Sequence, residues 1–232
     1  MRPEEQPVIR SLPLFQQMTE DNFDRLMRGA YVQSFPPQVE LITEGDPCDF
    51  LHIVVDGEVE LVATWCGRET TMGIVRPVST FILAAAVKDA VCLMSARTLE
   101  KTRLVLLPAI DVREVFEIDN GFSRAVVTEL AVAYRGVIRN TKNLKLRSSL
   151  ERLANYLLSQ KNLAGGAKSF ELVMEKRRLA SLLGMTPENL SRAIKALRPY
   201  GVKVDGNCIE IVDSSDLERL AKPTHLIDGN GI

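Results

Sequence analysis

The spacing of apolar residues changes character twice along the chain. Residues 21–31 carry Phe23, Leu26, Met27 and Ala30 at helical spacing, and Thr19 offers an N-cap for a short leading helix. From Phe35 to about Leu107 short apolar stretches are separated by turn residues at intervals of roughly ten residues, which is typical of an antiparallel barrel or jelly roll. After Pro108 the spacing becomes helical again.

Within the predicted barrel, the pattern around Asp56-Gly57 indicates a tight turn. An apolar run, Phe50–Val55, precedes it, and Val59, Leu61 and Ala63 follow at alternate positions. Because Asp-Gly between two apolar strands is a strong turn signal, we expect a two-stranded hairpin here.

The helical pattern after Pro108 continues for long enough to predict one extended amphipathic helix. A helix from Asn120 to Lys145 spans about 37 Å at 1.5 Å per residue, more than a small domain needs for its own core. Its apolar stripe either packs along its own barrel or meets a second copy of the chain, and we favour the dimer. Asn140 on this stripe favours a defined register. The predicted interface residues are Phe122, Val126, Leu130, Ala133, Val137, Asn140 and Leu144.

A second helix, predicted over residues 148–161, opens the last part of the chain. Ala164–Ala167 contains two glycines and predicts a flexible turn, and Phe170–Val173 predicts a short strand.

The segment from Lys176 to Leu197 predicts a helix-turn-helix. Gly184 permits a sharp turn after the first short helix. Thr186 predicts an N-cap, and Pro187 suits the first position of the second helix, where its missing N–H costs nothing. The second helix of such a motif enters the major groove of DNA.

The outward side chains of the second helix suit base and phosphate recognition. With Leu190, Ile194 and Leu197 inside, Arg192 can donate to guanine, Glu188 can accept from cytosine, and Lys195 can neutralise phosphate. The alternative is a helical hairpin with a solvated charged face. A following hairpin, Val202–Ile211 with Asp205-Gly206 at its turn, favours a winged helix-turn-helix instead. The predicted DNA-binding residues are Thr186, Pro187, Glu188, Asn189, Ser191, Arg192 and Lys195.

Charge supports the same assignment. The chain has 29 basic and 30 acidic residues and a formal net charge of −1, so the whole molecule does not attract polyanions. Within residues 176–203, however, Glu188 is the single acidic residue against seven basic ones. This basic window predicts a phosphate-facing surface.

Other chemistries find little support. The four cysteines are scattered without a CxxC pair, so their spacing indicates neither zinc nor an iron–sulfur cluster. No nucleophile elbow, zinc-protease motif or phosphate loop is present, and we expect no enzymatic activity. With neither a leader nor a long apolar run, we expect a cytoplasmic protein.

The order of these elements resembles the Crp/Fnr family of bacterial transcription regulators over nearly the whole chain. The resemblance rests on Glu44–Pro47, the segment Phe50–Leu61, the long helix and the trio Glu188, Ser191 and Arg192. It implies a homodimer that reads a palindrome of TTG and CAA half-sites and activates transcription through RNA polymerase. Pro187 stands where family members vary, which leaves the outermost base preference open.

The resemblance also bears on the sensed signal. Relatives that bind cyclic AMP carry an arginine where this chain has Met94, so cyclic nucleotide is disfavoured, as is an iron–sulfur cluster. Haem, a small apolar ligand, oxidation of a thiol, or no ligand at all remain open. The segments at residues 81–84 and 94–99 resemble those of regulators that respond to nitric oxide in denitrification. His52 is a candidate haem ligand, His225 lies in a tail that we expect to be mobile, and Cys66 is a candidate redox thiol. The predicted effector pocket consists of His52, Phe81, Ile82, Leu83 and Met94.

Together these patterns predict an α+β fold with four parts. Residues 1–107 form a sensor jelly roll with a leading helix, and residues 108–146 form the dimerisation helix. Residues 147–221 form a winged helix-turn-helix, and residues 222–232 form a tail.

Overall fold

The structure is a computed structural model that describes residues 5–172 and 174–229. The chain divides into two compact units, which meet between Val132 and Ala133. The expected antiparallel roll, long helix and winged helix-turn-helix are all present. Val173, expected at the end of a strand, and the last three residues of the tail lie outside the described residues.

The first unit begins with three short helices. They are α1 (Glu5–Arg10), α2 (Pro13–Gln16) and α3 (Glu20–Gly29). Phe23, Leu26 and Met27 form the buried face of α3, as their spacing predicts. Thr19 precedes α3, but its side chain does not cap the helix; its hydroxyl donates to Asp119 instead.

Two four-stranded antiparallel sheets form the roll. The strands are β1 (Tyr31–Phe35), β2 (Glu40–Ile42), β3 (Phe50–Asp56), β4 (Val59–Trp65), β5 (Arg68–Val75), β6 (Ser79–Phe81), β7 (Ser95–Thr98) and β8 (Thr102–Pro108). One sheet has the order β1-β8-β3-β6 and the other β2-β7-β4-β5. The fold prediction of an antiparallel jelly roll is confirmed.

The predicted hairpin at Asp56-Gly57 is wrong in its pairing. The tight turn exists, but β3 pairs with β6 and β8, whereas β4 pairs with β5 and β7. The turn therefore passes the chain from one sheet to the other. Gly57 has φ +84°, and a Cβ there would lie 2.6 Å from the Lys101 carbonyl oxygen, so this crossing needs glycine.

Three further helices belong to the region after β6. They are α4 (Leu83–Lys88), α5 (Ala109–Ile118) and α6 (Asn120–Leu146). The helical pattern after Pro108 is thus divided in two. Asp119 separates the helices, and its carboxylate accepts a hydrogen bond of 2.8 Å from the Phe122 amide at the start of α6. A side-chain acceptor at this place satisfies one of the free amides of a helix start.

The second unit contains the predicted winged helix-turn-helix. Its further elements are α7 (Ser149–Leu163), β9 (Ser169–Glu171), α8 (Lys176–Leu182), α9 (Pro187–Ala196), β10 (Val202–Asp205), β11 (Cys208–Ile211), α10 (Ser214–Ala221) and α11 (His225–Asp228). The three strands form an antiparallel sheet of order β10-β11-β9, and the β10–β11 hairpin is the predicted wing. Ser148 and Glu151 cap α7 reciprocally.

The expectation of a mobile tail is wrong for the described part of it. Thr224 caps α11, and the Asp228 carboxylate accepts two hydrogen bonds, of 2.6 and 2.7 Å, from the Arg147 guanidinium. Arg147 is nearly buried in this paired geometry. The two parallel bonds hold the tail against the start of the second unit because a guanidinium fork matches a carboxylate.

Within the described residues, no helix has the length and apolar character needed to cross a membrane.

Candidate DNA interface and sensor interior

A buried arginine forms hydrogen bonds with the turn between α8 and α9. Gly184 adopts φ +62° in this turn. Arg152, on α7, donates from Nε to the Leu183 carbonyl oxygen at 2.8 Å and from Nη2 to that of Gly184 at 3.2 Å. It also donates to the Arg147 carbonyl oxygen at 2.6 Å. The role of Arg152 is not evident from the sequence, since an arginine in an amphipathic helix normally faces water.

The start of α9 follows the sequence prediction closely. The Thr186 hydroxyl oxygen accepts from the Asn189 amide at 3.2 Å, and Pro187 occupies the first turn. Both features confirm the predicted N-cap and first helical position. A hydrogen bond from the Thr186 side chain, followed by the backbone, lowers the pKa of Glu188. The Glu188 side chain is therefore ionised at neutral pH.

The two faces of α9 differ sharply in exposure. Leu190, Ala193 and Leu197 are buried, whereas Ile194, expected inside, is only half-buried. Of the predicted contact residues, Asn189 is half-buried and the others are exposed. The exposed ones are Thr186, Pro187, Glu188, Ser191, Arg192 and Lys195.

Two side chains on the exposed face already make local hydrogen bonds. The Arg192 guanidinium donates to the Asn189 side-chain oxygen, and the Ser191 hydroxyl donates to the Pro187 carbonyl oxygen at 3.0 Å. Arg192 can exchange this contact for a base because it remains exposed. The face thus presents ionised Glu188, a hydroxyl and two cations, which is a set suited to base edges and phosphate.

On α6 the predicted interface must be corrected at two residues. Phe122 and Val126 are fully buried inside the first unit, and the Phe122 ring stacks on Phe15 with centroids 6.0 Å apart. These two side chains are not available to a partner. Asn140 is exposed on the side of the helix that also carries exposed Val137 and Leu144, so its role in setting the register stays a prediction.

A second apolar face of α6 is exposed, and it is rotated about the helix axis from the predicted stripe by the angle between two successive residues. Val127, Ala131, Tyr134 and Ile138 follow one another by four, three and four residues, and Tyr134 is 67% exposed. Val137, which the sequence did predict, flanks this face and is 62% exposed. The same spacing can be read in the sequence, but sequence alone does not show which of two neighbouring stripes the first unit buries.

His52 and Phe81 face the inside of the roll. They are paired across β3 and β6, and their rings stack with centroids 4.9 Å apart. Val54, which lies on the same face of β3, belongs to the small apolar core between the sheets. His52 is 7% exposed, and among the residues that the structure describes its Nδ1 has no hydrogen-bond partner. Burial lowers the pKa of His52 to about 4, so the imidazole is neutral at physiological pH.

The remaining predicted pocket residues do not all join this pair. Ile82 is in the left-handed region at φ +64° and is half-buried between two core clusters. Leu83 is buried on the other side, in the core that the leading helices cover. Met94 is half-buried just before β7. The structure therefore brings His52 and Phe81 into contact, and Ile82 packs against the core cluster that contains Phe81.

The two arginines that follow Met94 in the sequence do not face the roll interior. Ala96 and Leu104 point inward, so their strand neighbours Arg97 and Arg103 point away from the interior. Arg97 is held by Glu60, with Nε and Oε2 2.9 Å apart, and by Glu69. A phosphodiester needs a fork of donors, and the two guanidiniums nearest in sequence to Met94 face elsewhere. Among the described residues, no group of three or more His, Cys, Asp or Glu could hold a metal ion.

Two protein-family models match the chain, one in each of its two parts. The family model "Cyclic nucleotide-binding domain" matches residues 32–119, and "Crp-like helix-turn-helix domain" matches residues 151–220. Together they account for more than half of the chain. A CRP-like cAMP-activated global transcriptional regulator of Mycobacterium tuberculosis is 24% identical over 93% of this chain and 99% of its own length.

Solved structures show the same fold. A transcriptional regulator assigned to the Crp/Fnr family from Eubacterium rectale has a TM-score of 0.73 at 19% identity, covering 91% of this chain and 99% of that one. FixK2 from Bradyrhizobium japonicum has a TM-score of 0.69 at 22% identity, covering 82% and 96%. With both family models in the order that the two units follow, the chain belongs to the Crp/Fnr family of DNA-binding transcription regulators.

Proposed function

We propose that this regulator binds, as a homodimer, a palindrome with TTG and CAA half-sites, and that α9 reads each half-site. The observation that carries the proposal is the exposed amino-terminal face of α9, where Glu188, Ser191 and Arg192 stand together. Arg192 can donate two bonds to one guanine, and Glu188 can accept from a cytosine amino group. Lys195 and the basic residues of α8 supply phosphate contacts.

The exposed face of α6 supports the dimer. A large apolar side chain left mostly exposed on a long helix is costly unless a partner covers it. The spacing of Val127, Ala131, Tyr134 and Ile138 matches the seam of a two-stranded coiled coil. Pairing of two such helices would set two copies of α9 about 34 Å apart, one turn of DNA.

The proposed test is fluorescence anisotropy on a TTG/CAA palindrome and on a scrambled duplex at one fixed salt concentration. We expect the palindrome to bind more tightly, and Arg192→Ala to weaken that binding by about 5- to 150-fold, the value of one bidentate base contact. Arg219→Ala, which removes an exposed charge that pairs with Asp216 on α10, is the matched control and should leave the affinity unchanged. Equal affinities of Arg192→Ala and the control would reject the base-reading role.

We further propose that bound protein activates transcription by contacting RNA polymerase, and that a redox or gaseous signal such as nitric oxide is sensed inside the roll. In support, His52 is a neutral imidazole with an unpaired nitrogen among apolar neighbours, which is the form that ligates haem iron. Haemin titration followed by absorbance tests the ligand. We expect His52→Ala to abolish the Soret shift and His225→Ala, which removes the exposed histidine of α11, to preserve it.

A further inference from the structure

Cys48 and Cys92 are distant in sequence but meet in the first unit. The segments that carry them run antiparallel, with a bridge between Pro47 and Val91. The Cys92 amide donates to the Asp46 carbonyl oxygen at 2.9 Å, and the Gly45 amide donates to the Cys92 carbonyl oxygen at 2.7 Å. The backbone thus fixes the two cysteines beside each other.

Both thiols point into the same apolar core. Cys48 is 8% exposed and Cys92 is 1% exposed. Their Sγ atoms share a side-chain hydrogen bond. Cys66 and Cys208, by contrast, are both exposed.

One of the two cysteines also lines a cavity. Cys48 lines a cavity of about 260 Å³, together with Asp49, Val91 and Ile110. A small oxidant can enter a space of this size, because one water molecule takes about 30 Å³ of liquid volume. Cys92 lies behind Cys48 in the core.

We propose that Cys48 and Cys92 are a redox-active pair that hydrogen peroxide converts into an intrachain disulfide. The Cys48 sulfur attacks one peroxide oxygen, the O–O bond breaks, and the leaving oxygen takes a proton to form water. The resulting sulfenic acid is then attacked by the Cys92 sulfur, so that an S–S bond forms, the S–O bond breaks and a second water leaves. Two electrons and two protons pass from the thiols to one peroxide.

The electrostatics of the pair favour the disulfide at equilibrium. Burial, followed by the neighbouring Cys92, raises the pKa of Cys48 to about 12, and burial raises the pKa of Cys92 as well. A dithiol becomes a poorer electron donor when its thiolates are stabilised. In this pair burial destabilises the thiolates, so the dithiol gives up electrons readily and the disulfide is favoured. The same protonation slows the first attack, so we expect the pair to react more slowly than an exposed cysteine.

The disulfide would join the start of β3 to the end of the segment after α4. His52 lies on β3, so the crosslink would tie the strand that carries this buried histidine to the segment between α4 and β7. The thiol chemistry does not depend on the proposed DNA function, because its test reads sulfur and not DNA.

The test uses the full chain, and treatment with hydrogen peroxide continues for many times longer than exposed Cys66 needs to be oxidised; oxidation of Cys66 proves that the oxidant acted. Free thiols are blocked in denaturant, disulfides are then reduced and labelled with a second reagent, and peptides are mapped by mass spectrometry. We expect Cys48 and Cys92 to take the second label together, and an unreduced sample to contain their joined peptide. A variant with Cys66→Ser and Cys208→Ser should form the same bond. Because this variant lacks Cys66, its oxidation is followed by the loss of the free Cys48 thiol.

Thermal unfolding provides the second readout. Closing the loop between the two cysteines should raise the Tm of the peroxide-treated protein by roughly 5–10 °C, and this rise should be absent in Cys92→Ser. If Cys48 and Cys92 keep the first label while Cys66 is oxidised, the pair is only a packed part of the core and the proposal is overturned. A bond from Cys48 to any other cysteine would overturn it equally.

Discussion

At the scale of single residues, Asp119 is the most heavily bonded side chain at the junction between α5 and α6. Its carboxylate accepts from the Thr19 amide and hydroxyl, from the Asn22 amide group and from the Phe122 amide, at 2.8–2.9 Å. Burial by itself would raise the pKa of Asp119, but these hydrogen bonds outweigh it and leave the pKa well below the usual range for aspartate. One residue thereby joins the leading helices to the start of α6.

We expect Asp119→Ala to lower the free energy of unfolding by about 2–3 kcal/mol, because it removes a helix cap and leaves buried donors without acceptors. Since the folded pKa is depressed, the stabilisation is complete above the unfolded pKa of about 3.9 and is lost as the pH falls below it. Urea unfolding at a series of pH values measures both effects. The difference from wild type should shrink toward pH 3, and Asp24→Ala, an exposed aspartate of α3, should show no such difference at any pH.

Gly57 and Gly67 offer a second test at this scale, because both have positive φ but different surroundings. A Cβ at Gly57 would meet Lys101 and Thr102 atoms at 2.6–2.7 Å, whereas a Cβ at Gly67 would meet nothing within 4 Å. Gly67→Ala should cost about 1 kcal/mol for the left-handed conformation alone. Gly57→Ala should cost at least about 2 kcal/mol more, since backbone must move. Equal costs in urea unfolding would mean that the crossing turn tolerates a side chain.

At the scale of elements, the sequence predicted local signals well and pairings less well. The wing hairpin, the cap of α9 and the buried face of α3 depend on neighbouring residues, and these predictions are confirmed. The pairing of β3 is set by the far strand β8, and no local signal at Asp56-Gly57 distinguishes a hairpin from a crossing between sheets. Likewise, two apolar stripes lie side by side on α6, and only packing against the first unit decides that Phe122 is buried and Tyr134 exposed.

The support of the helix-turn-helix by Arg152 gives the prediction that belongs to elements. Its guanidinium is buried without a carboxylate and satisfies carbonyl oxygens from the α8–α9 turn and from Arg147. Arg152→Met keeps the apolar stem but leaves those carbonyls unpaired, so we expect a loss of about 2–4 kcal/mol in the unfolding of the second unit. Urea unfolding of the variant measures it. Arg219→Ala, which removes an exposed arginine, should change stability by less than about 0.5 kcal/mol, and a similar small effect in Arg152→Met would contradict the supporting role.

At the scale of the whole molecule, the proposed function requires two copies of the chain. Ile138→Asp places a charge in the exposed apolar face of α6, so we expect it to yield monomers in sedimentation velocity at micromolar concentration, because an unpaired charge is not tolerated in a packed helix seam. Val132→Asp is the matched control, since Val132 is 46% exposed, close to the 43% of Ile138, and lies on the other side of the helix from that face. Dissociation of the control but not of Ile138→Asp would place the interface elsewhere.

The account rests most directly on a dimer that reads two half-sites with fixed spacing. The decisive measurement compares the affinity of the protein for the TTG/CAA palindrome with its affinity for the same duplex carrying five additional base pairs between the half-sites, at one salt concentration. Five base pairs turn one half-site by about half a helical turn, so a rigid dimer can reach only one of them. The account predicts two chains on the original palindrome and a fall to nonspecific affinity on the lengthened one. Equal affinity for the two duplexes, or specific binding by a single chain, would contradict it.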